Sequence, residues 1–442
     1  MANSNLEEGA QDPRSERNST ENLPGASEWR EGPYPYYVAT MFMFAYMFNY
    51  LDRNVLIILT EPIKQDLGLR DWQIGMLTGP AFAFFYAILG LPIARLADRS
   101  HRVNILSIAM VVWSGMTILC GRAADFAQLA LARVGVGAGE AGGSPPAASV
   151  IADYFPVERR STALAIFNMG VPLGMFLGLV MGGWVSQHYG WRTAFLVAGA
   201  PGILLALLIK LTVREPKRTV TKATAERGSI VRALKSLWAN QLYRGSILAI
   251  MVGNVAINVV VVWSPANMIR SFGVDVQTAG LIMGTLAGAG GIAGSLLGGA
   301  LTDRLFRRDS RWLFWVPALA FAVLFPVVLA GNLSRDLVSY VVLLAAAYTL
   351  LSAINAPIWA LSQATVPADL RATAAALMLF LLSVVGAGLG PLIAGGLSDL
   401  LEPTFGDHRL RVVISLLAVT AWPAAYLYVR TAKSVSTAPP LE

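Results

Sequence analysis

The chain of 442 residues contains one cysteine, Cys120, and three histidines. A lone thiol excludes an internal disulfide framework and any Cys-x-x-Cys metal or redox site. The histidines fall near predicted loops, which leaves no histidine-based metal site to build. Charge is also scarce, at 14% of residues where soluble domains carry about 25%. No GxSxG, HExxH or Walker loop occurs, so neither an enzyme nor a cofactor is expected. The first 33 residues lack an apolar h-region; polar and rich in Glu, Asn, Ser and Arg, they read as a disordered tail and not a signal peptide.

What the chain has in quantity is apolar: 55% hydrophobic residues and 41 glycines. That composition fits a polytopic membrane protein whose helices approach closely. Apolar segments recur at about 36–60, 72–94, 103–122, 126–152, 161–186 and 192–212. After a polar stretch they resume at about 245–266, 277–301, 312–331, 337–364, 373–397 and 410–430. The expected fold class is therefore all-α, with twelve transmembrane helices in two six-helix bundles. The predicted organisation is a tail (1–33), a first bundle (34–212), a linker (213–244), a second bundle (245–430) and a short tail (431–442). A surface helix is expected in the linker around 230–237.

The net charge of +7 need not mean nucleic acid, because basic residues also gather on cytoplasmic loops. With the N-terminus inside, 23 of the 34 Lys and Arg fall in cytoplasmic tails and loops, three within spans, and eight outside. That asymmetry predicts both termini in the cytoplasm, in an inner-membrane protein, and leaves no charge for a nucleic-acid partner to explain.

The halves repeat each other. At an offset of 205, Gly75, Gly79, Asp98, Arg99 and Arg102 align with Gly280, Gly284, Asp303, Arg304 and Arg307. At an offset of 211, Pro156, Arg160, Thr162 and Ala163 align with Pro367, Arg371, Thr373 and Ala374. Two parallel six-helix repeats about an axis normal to the membrane is an architecture of secondary transporters.

Four charges sit inside apolar runs: Asp52 and Arg53 in the first, Arg133 and Glu140 in the fourth. Ionisable groups at membrane depth are costly and mark substrate or proton sites; the alternative is a set of structural ion pairs locking two helices together. The four sum to zero, as a mutually neutralised cluster would. At about 1.5 Å per residue, Asn49 and Glu140 fall near one middle level. Asp52 and Arg133 are placed to pair directly, while Arg53 has to reach inward to meet Glu140. Tyr46, Asn49 and Arg53 form one helical stripe. The second half offers uncharged groups instead: Asn254, Asn258, Tyr348, Ser352 and Asn355.

The loop Ala94-Arg-Leu-Ala-Asp98-Arg99-Ser-His101-Arg102, with its second copy around Asp303, Arg304 and Arg307, resembles the signature loop of the major facilitator superfamily. Arg133-Val-Gly-Val-Gly137-Ala-Gly139 resembles that family's fourth-helix pattern, and Asp153-Tyr-Phe-Pro156…Arg159-Arg160 its following loop. Ala94, His101 and Phe306 depart from the glycines usual there. Within the superfamily, Asn49-Tyr-Leu-Asp52-Arg53 with Arg133…Gly139-Glu140-Ala141 looks like the spinster branch, transporters of sphingosine phosphate and lysophospholipids, in a bacterial-type homologue. The resemblance implies a monomeric secondary transporter of an anionic amphiphile working by alternating access, with a proton as coupling partner. A symporter of a small organic anion such as a sugar acid is the alternative, and a lipid scramblase a more distant one.

Roles follow on that basis. Arg53 and Arg133 are expected to bind an anionic head group, with Tyr46, Asn49, Asn258 and Asn355 lining the site. Glu140 or Asp52 is expected to carry the proton, with Trp263, Phe380 and Leu382 offering surface to a tail. A carboxylate at Asp98 is placed to cap the helix beginning near Thr373. Arg99 and Arg102 would pair with Asp153, and Asp303, Arg304 and Arg307 would repeat the arrangement against a helix beginning near Ser161. Together these make a latch on the cytoplasmic side.

Overall fold

The computed structural model describes residues 32–216, 230–367 and 370–435. Nearly all of the predicted N-terminal tail, much of the linker and the last residues of the C-terminal tail lie outside them. Among the described residues the chain folds into twelve helical spans.

The first span is one helix, Tyr34–Leu67, which continues past its apolar run to a left-handed Gly68 with φ 61°. The second comprises Asp71–Thr78 and Pro80–Arg99, and the third is Arg102–Cys120. The fourth is Phe126–Glu140 and Ser144–Tyr154, the fifth Val157–Asn168 and Gly170–Tyr189, the sixth Trp191–Thr212. A separate helix, Ile230–Ala239, precedes the seventh span, Gln241–Phe272. The eighth joins Val276–Thr285 to Gly291–Phe306 through a π-helical turn, Leu286–Gly290. The ninth is Trp312–Leu333 and the tenth Leu337–Ala353 with Asn355–Ala364. The eleventh joins Arg371–Leu381 to Gly390–Phe405 through a second π-helical turn, Leu382–Leu389. The twelfth is Arg409–Ala418 and Ala421–Lys433.

Among the described residues nine helical stretches are long and apolar enough to cross a membrane by composition alone, and one of them, Thr373–Lys433, holds both the eleventh and twelfth spans. The first span falls short because Asp52 and Arg53 add to a helix already rich in tyrosine and asparagine. The fourth falls short because it breaks at 141–143, where Pro145 and Pro146 open the next segment without the N–H groups a continuous ladder needs. Two starts differ from expectation. The helices placed near Ser161 and Thr373 begin at Val157 and Arg371; Pro156, with φ −63°, sets the first of them.

Odd-numbered spans start on the side of the tails, even-numbered ones on the far side. Three far-side starts, those of the fourth, eighth and tenth spans, are capped by acids: Asp125, Asp275 and Asp336 accept from the backbone N–H of Gln128, Thr278 and Ser339 at 2.9, 2.9 and 2.8 Å. The Thr278 hydrogen bonds hold the Asp275 carboxyl below the usual carboxylate range.

Two seams join the halves, both concentrated towards the far side and thinning towards the tails. In one, Gly75 and Gly79 of the second span lie against the backbone of Pro391 and Gly388 in the eleventh. In the other, Gly280 and Gly284 of the eighth span lie against Leu179 and Val180 of the fifth. A methyl group at any of the four would collide with its neighbour. The first matched pair of the internal repeat is thus the pair of close-approach points that lets each half meet the other.

Candidate functional site

Glycines also set the geometry inside the first half. Gly170, Gly174, Gly178 and Gly182 run down the fifth span against Met43, Met47, Leu51 and Ile58 of the first. Gly137 and Gly139 bring the fourth span onto the backbone of Phe82 in the second and Trp113 in the third. These contacts carry the first and fourth spans to one centre, and their charges with them.

There Arg53 Nε donates to Glu140 Oε2 at 2.6 Å. The Glu140 side chain is fully buried, whereas that of Arg53 keeps 24% exposure. The Arg53 guanidinium lies 5.2, 4.6 and 4.7 Å from the ring centres of Tyr50, Phe82 and Tyr86. Arg133 approaches the same Phe82 ring at 5.1 Å. Phe82 therefore lies within cation–π range of two guanidinium groups that repel each other, and its ring attracts both.

Asp52 and Arg133 do not form the expected ion pair. Asp52 accepts instead from Thr117 Oγ1 of the third span at 3.0 Å, and Arg133 Nε points to the Leu77 carbonyl at 3.4 Å. Consecutive helix residues point about 100° apart, so Asp52 and Arg53 cannot both face the fourth span. Four buried polar atoms around this centre have no hydrogen-bond partner among the described residues: Asn49 Oδ1, Asp52 Oδ1, Glu140 Oε1 and Trp113 Nε1. Buried groups of this kind are normally satisfied. Their concentration at one place leaves polar capacity unspent beside the Arg53–Glu140 pair.

The uncharged candidates are only partly assembled. Asn49 is buried beside the cluster, but the Tyr46 ring stacks on Phe167 of the fifth span at 4.5 Å. Asn258 donates to the Asn254 carbonyl at 2.9 Å, and Asn254 to the Leu382 carbonyl at 3.0 Å in the π-helical turn. Asn254 thereby fastens the seventh span to the eleventh, while Asn258 bonds back within the seventh span and steadies Asn254. Asn355 is exposed at the break of the tenth span, while Tyr348 and Ser352 face Gly290 and Gly294 of the eighth. Trp263 is fully buried with its Nε1 on the Pro391 carbonyl at 3.2 Å, so it offers no surface to a tail; Phe380 is 42% exposed.

On the tail side, Arg102 pairs with Asp153 at 2.5 Å and with Glu215 at 2.7 Å, and donates to Ser149 at 2.9 Å. This binds the third span to the fourth and to the start of the linker, all within one half. Arg99, Asp303, Arg304 and Arg307 are exposed. Asp98 lies in the second span, and its side chain is outside the described residues.

A second cluster, which the sequence did not reveal, closes the far side. Asp71 is fully buried at the start of the second span. Its carboxylate accepts from Arg270 at 2.7 and 2.8 Å, Lys64 at 2.6 Å, Ser398 at 2.7 Å and Arg409 at 3.2 Å. Arg270 also binds Glu61 at 2.7 Å. Asp399 of the eleventh span caps the second from across the seam, accepting from the N–H groups of Asp71 and Trp72 at 2.9 and 2.8 Å. Glu61, Asp71 and Asp399 balance Lys64, Arg270 and Arg409 in charge. The signal in the sequence was the position of these groups at the very ends of apolar runs, where they read only as topology.

Two six-helix halves, shut at one end by a buried ionic cluster and holding central charges in one half, define a transporter and not an enzyme. Residues 42–391 match the model of the Major Facilitator Superfamily, and the chain belongs to that family. It is 36% identical over 385 residues to an MFS-type efflux pump of Mycolicibacterium smegmatis, covering 86% of this chain and 88% of that protein. It is 26% identical to a probable L-galactonate transporter of Escherichia coli (88% and 87% covered) and 28% identical to the sphingosine-1-phosphate transporter SPNS2 of Xenopus tropicalis (83% and 74%). Among solved structures, a bacterial homolog to the human lysosomal transporter spinster, in an inward-facing and unoccupied conformation, superposes with a TM-score of 0.84. That pair shares 30% identity, over 92% of this chain and 98% of the other.

Proposed function

We propose that this chain moves an anionic amphiphile across the membrane by alternating access, coupled to protons, with both tails in the cytoplasm of an inner-membrane monomer. The observation that carries the reading is the Arg53 site. Its guanidinium has one nitrogen engaged by Glu140, is ringed by three aromatic faces, and remains partly exposed. An arginine so held can turn its remaining donors to a phosphate or carboxylate. All the central charge belongs to the first half, and the second presents amides and apolar surface, which suits a molecule charged at one end.

The cycle runs through Glu140. Protonation frees Arg53 for the substrate head group, and deprotonation returns Arg53 to Glu140 and releases it. Asp52, held by Thr117, is the second proton carrier, and Arg133 supports the head group from the fourth span. Tyr46, Asn49, Asn258 and Asn355 complete the path. On this reading the far-side cluster opens as the tail side closes, and Asp98, Arg99, Asp303, Arg304 and Arg307 then meet partners across the halves. A spinster-like fold and a relative named for sphingosine-1-phosphate support the amphiphile.

A relative named for L-galactonate supports the small-anion alternative. A binding series with one phosphate head group and lengthening alkyl chains separates the two. The amphiphile reading expects affinity to rise with chain length; affinity indifferent to length, with tight binding of a sugar acid, overturns it.

A further inference from the structure

Away from the centre, the far ends of the ninth and twelfth spans, joined by an Asn332–Ser415 hydrogen bond at 3.1 Å, carry a groove of about 560 Å³ on the outer face of the second half. Its walls are Phe325, Leu329, Leu333, Leu416 and Val419, with Leu333 and Leu416 well exposed at 71% and 52%. At its head stand Arg411 and His408. Arg411 is the third residue of the twelfth span, which places it at head-group level. Val419 lies eight residues further on, about 12 Å deeper at 1.5 Å per residue.

Arg411 differs from its neighbours in how its charge is met. Arg270 and Arg409, at the same end of the molecule, both pair with Asp71. Arg411 donates only to the backbone carbonyls of Ser334 and Ser271, at 3.1 and 3.4 Å, with its carbon 4.4 Å over the Phe272 ring. Its buried Nε has no hydrogen-bond partner, and among the described residues no carboxylate pairs with it. Carbonyls and a ring orient a guanidinium but do not neutralise it. A cation at the interface above an apolar slot complements an anionic phosphate carrying an acyl chain.

We propose that this groove holds one phospholipid of the far leaflet with an anionic head group, its phosphate on Arg411 and one acyl chain along Phe325, Leu329 and Leu416. The site lies on the bilayer-facing side of the second half and does not reach Arg53 or Glu140, so its occupant is a resident lipid and not the transported molecule. It stands whichever substrate the central site takes. Position also gives it a consequence: Ser271 follows Arg270 directly, and Arg411 is two residues beyond Arg409, so the lipid sits immediately behind the far-side ionic cluster.

The test is native mass spectrometry of the full-length protein in neutral detergent, titrated with phosphatidylglycerol and with phosphatidylcholine of identical chains. One phosphatidylglycerol is expected to bind about ten-fold tighter than phosphatidylcholine. Arg411→Gln should reduce phosphatidylglycerol to the phosphatidylcholine level, while Arg335→Gln, an exposed cation at the same end, leaves the preference intact. Leu416→Trp, which fills the slot and keeps the charge, should weaken both lipids. Glycerol phosphate should not compete. Equal binding of the two lipids, an undiminished preference in Arg411→Gln, undiminished binding of both lipids in Leu416→Trp, or full competition by glycerol phosphate overturns the proposal. So does a dimer that Leu416→Trp dissociates without changing lipid binding, because the groove would then be an interface between copies of this chain.

Discussion

Arg53 and Glu140 stand out in the sequence because a charge in the middle of an apolar run is too costly to persist without a partner or a task. The partner of Asp52 does not stand out, because Thr117 is an ordinary residue in an apolar helix and its hydroxyl becomes relevant only once the helices are rotated into place. The same rotation decides the chemistry. Glu140 is fully enclosed and bonded to Arg53 at 2.6 Å, so only its charge, and not its size, distinguishes it from glutamine there. Glu140→Gln is accordingly expected to retain substrate binding and to lose accumulation driven by a proton gradient in liposomes; proton-driven uptake equal to the parent would remove Glu140 from the coupling role. Arg53→Lys tests the other partner. Lysine keeps the charge but loses the planar fork and the stacking on Phe82 and Tyr86. A charge-assisted hydrogen bond contributes about 1.5–3 kcal/mol, so affinity for a phosphate head group should fall about ten-fold or more by equilibrium binding, with the melting temperature little changed.

At the scale of helices, the twelve spans and the two-fold repeat were legible because apolar runs and matched glycines are periodic signals. The breaks at 79, 141–143 and 354 and the π-helical turns were not, because a proline or glycine inside an apolar run reads equally as a tolerated kink, and only the packed neighbours decide whether the hydrogen-bond ladder is interrupted. The glycines nonetheless fall into two groups with different expected effects. Gly174 packs within the first half, against Met47 and Tyr50, whereas Gly183 packs across the seam, where an added Cβ comes 2.7 Å from the Val276 carbonyl. Overpacking costs about 1–3 kcal/mol in either place. Gly174→Val is expected to lower the melting temperature without altering the balance of conformations, since its contact belongs to one rigid half. Gly183→Val strains only the arrangement in which the far side is shut and should shift the population away from it. Spin labels across the far face should report longer distances for Gly183→Val alone; equal behaviour of the two variants would mean that the seam does not open as a unit.

For the molecule as a whole, the balance between its two faces rests on unlike contacts. The tail side holds its buried arginine, Arg102, inside one half, while the far side joins the halves through Asp71, which binds Arg270 and Arg409 of the other half and Lys64 of its own. Removing one partner of a buried ionic cluster strands the others, at a cost of about 3–5 kcal/mol. Where those contacts exist in only one conformation, the whole cost falls on that conformation. Asp71→Asn keeps the shape and the Asp399 cap on the second span, but leaves Arg270 with Glu61 as its one carboxylate and Arg409 with the Gly406 carbonyl and the distant Glu402 at 3.5 Å. With each 1.4 kcal/mol a factor of ten, the ratio of far-side-closed to far-side-open molecules should fall by roughly a hundred-fold or more. Asp275→Asn, at the same face but engaged only in capping its own helix, is the matched control and should leave the ratio unchanged. Cysteines introduced at the exposed positions Ala124 and Thr404, one in each half, allow spin-label distances to be read in all three proteins. A longer distance population in Asp71→Asn alone is the expected result; distributions identical to the parent would show that the far side is held by its glycine seams, with the ionic cluster contributing alignment and not closure.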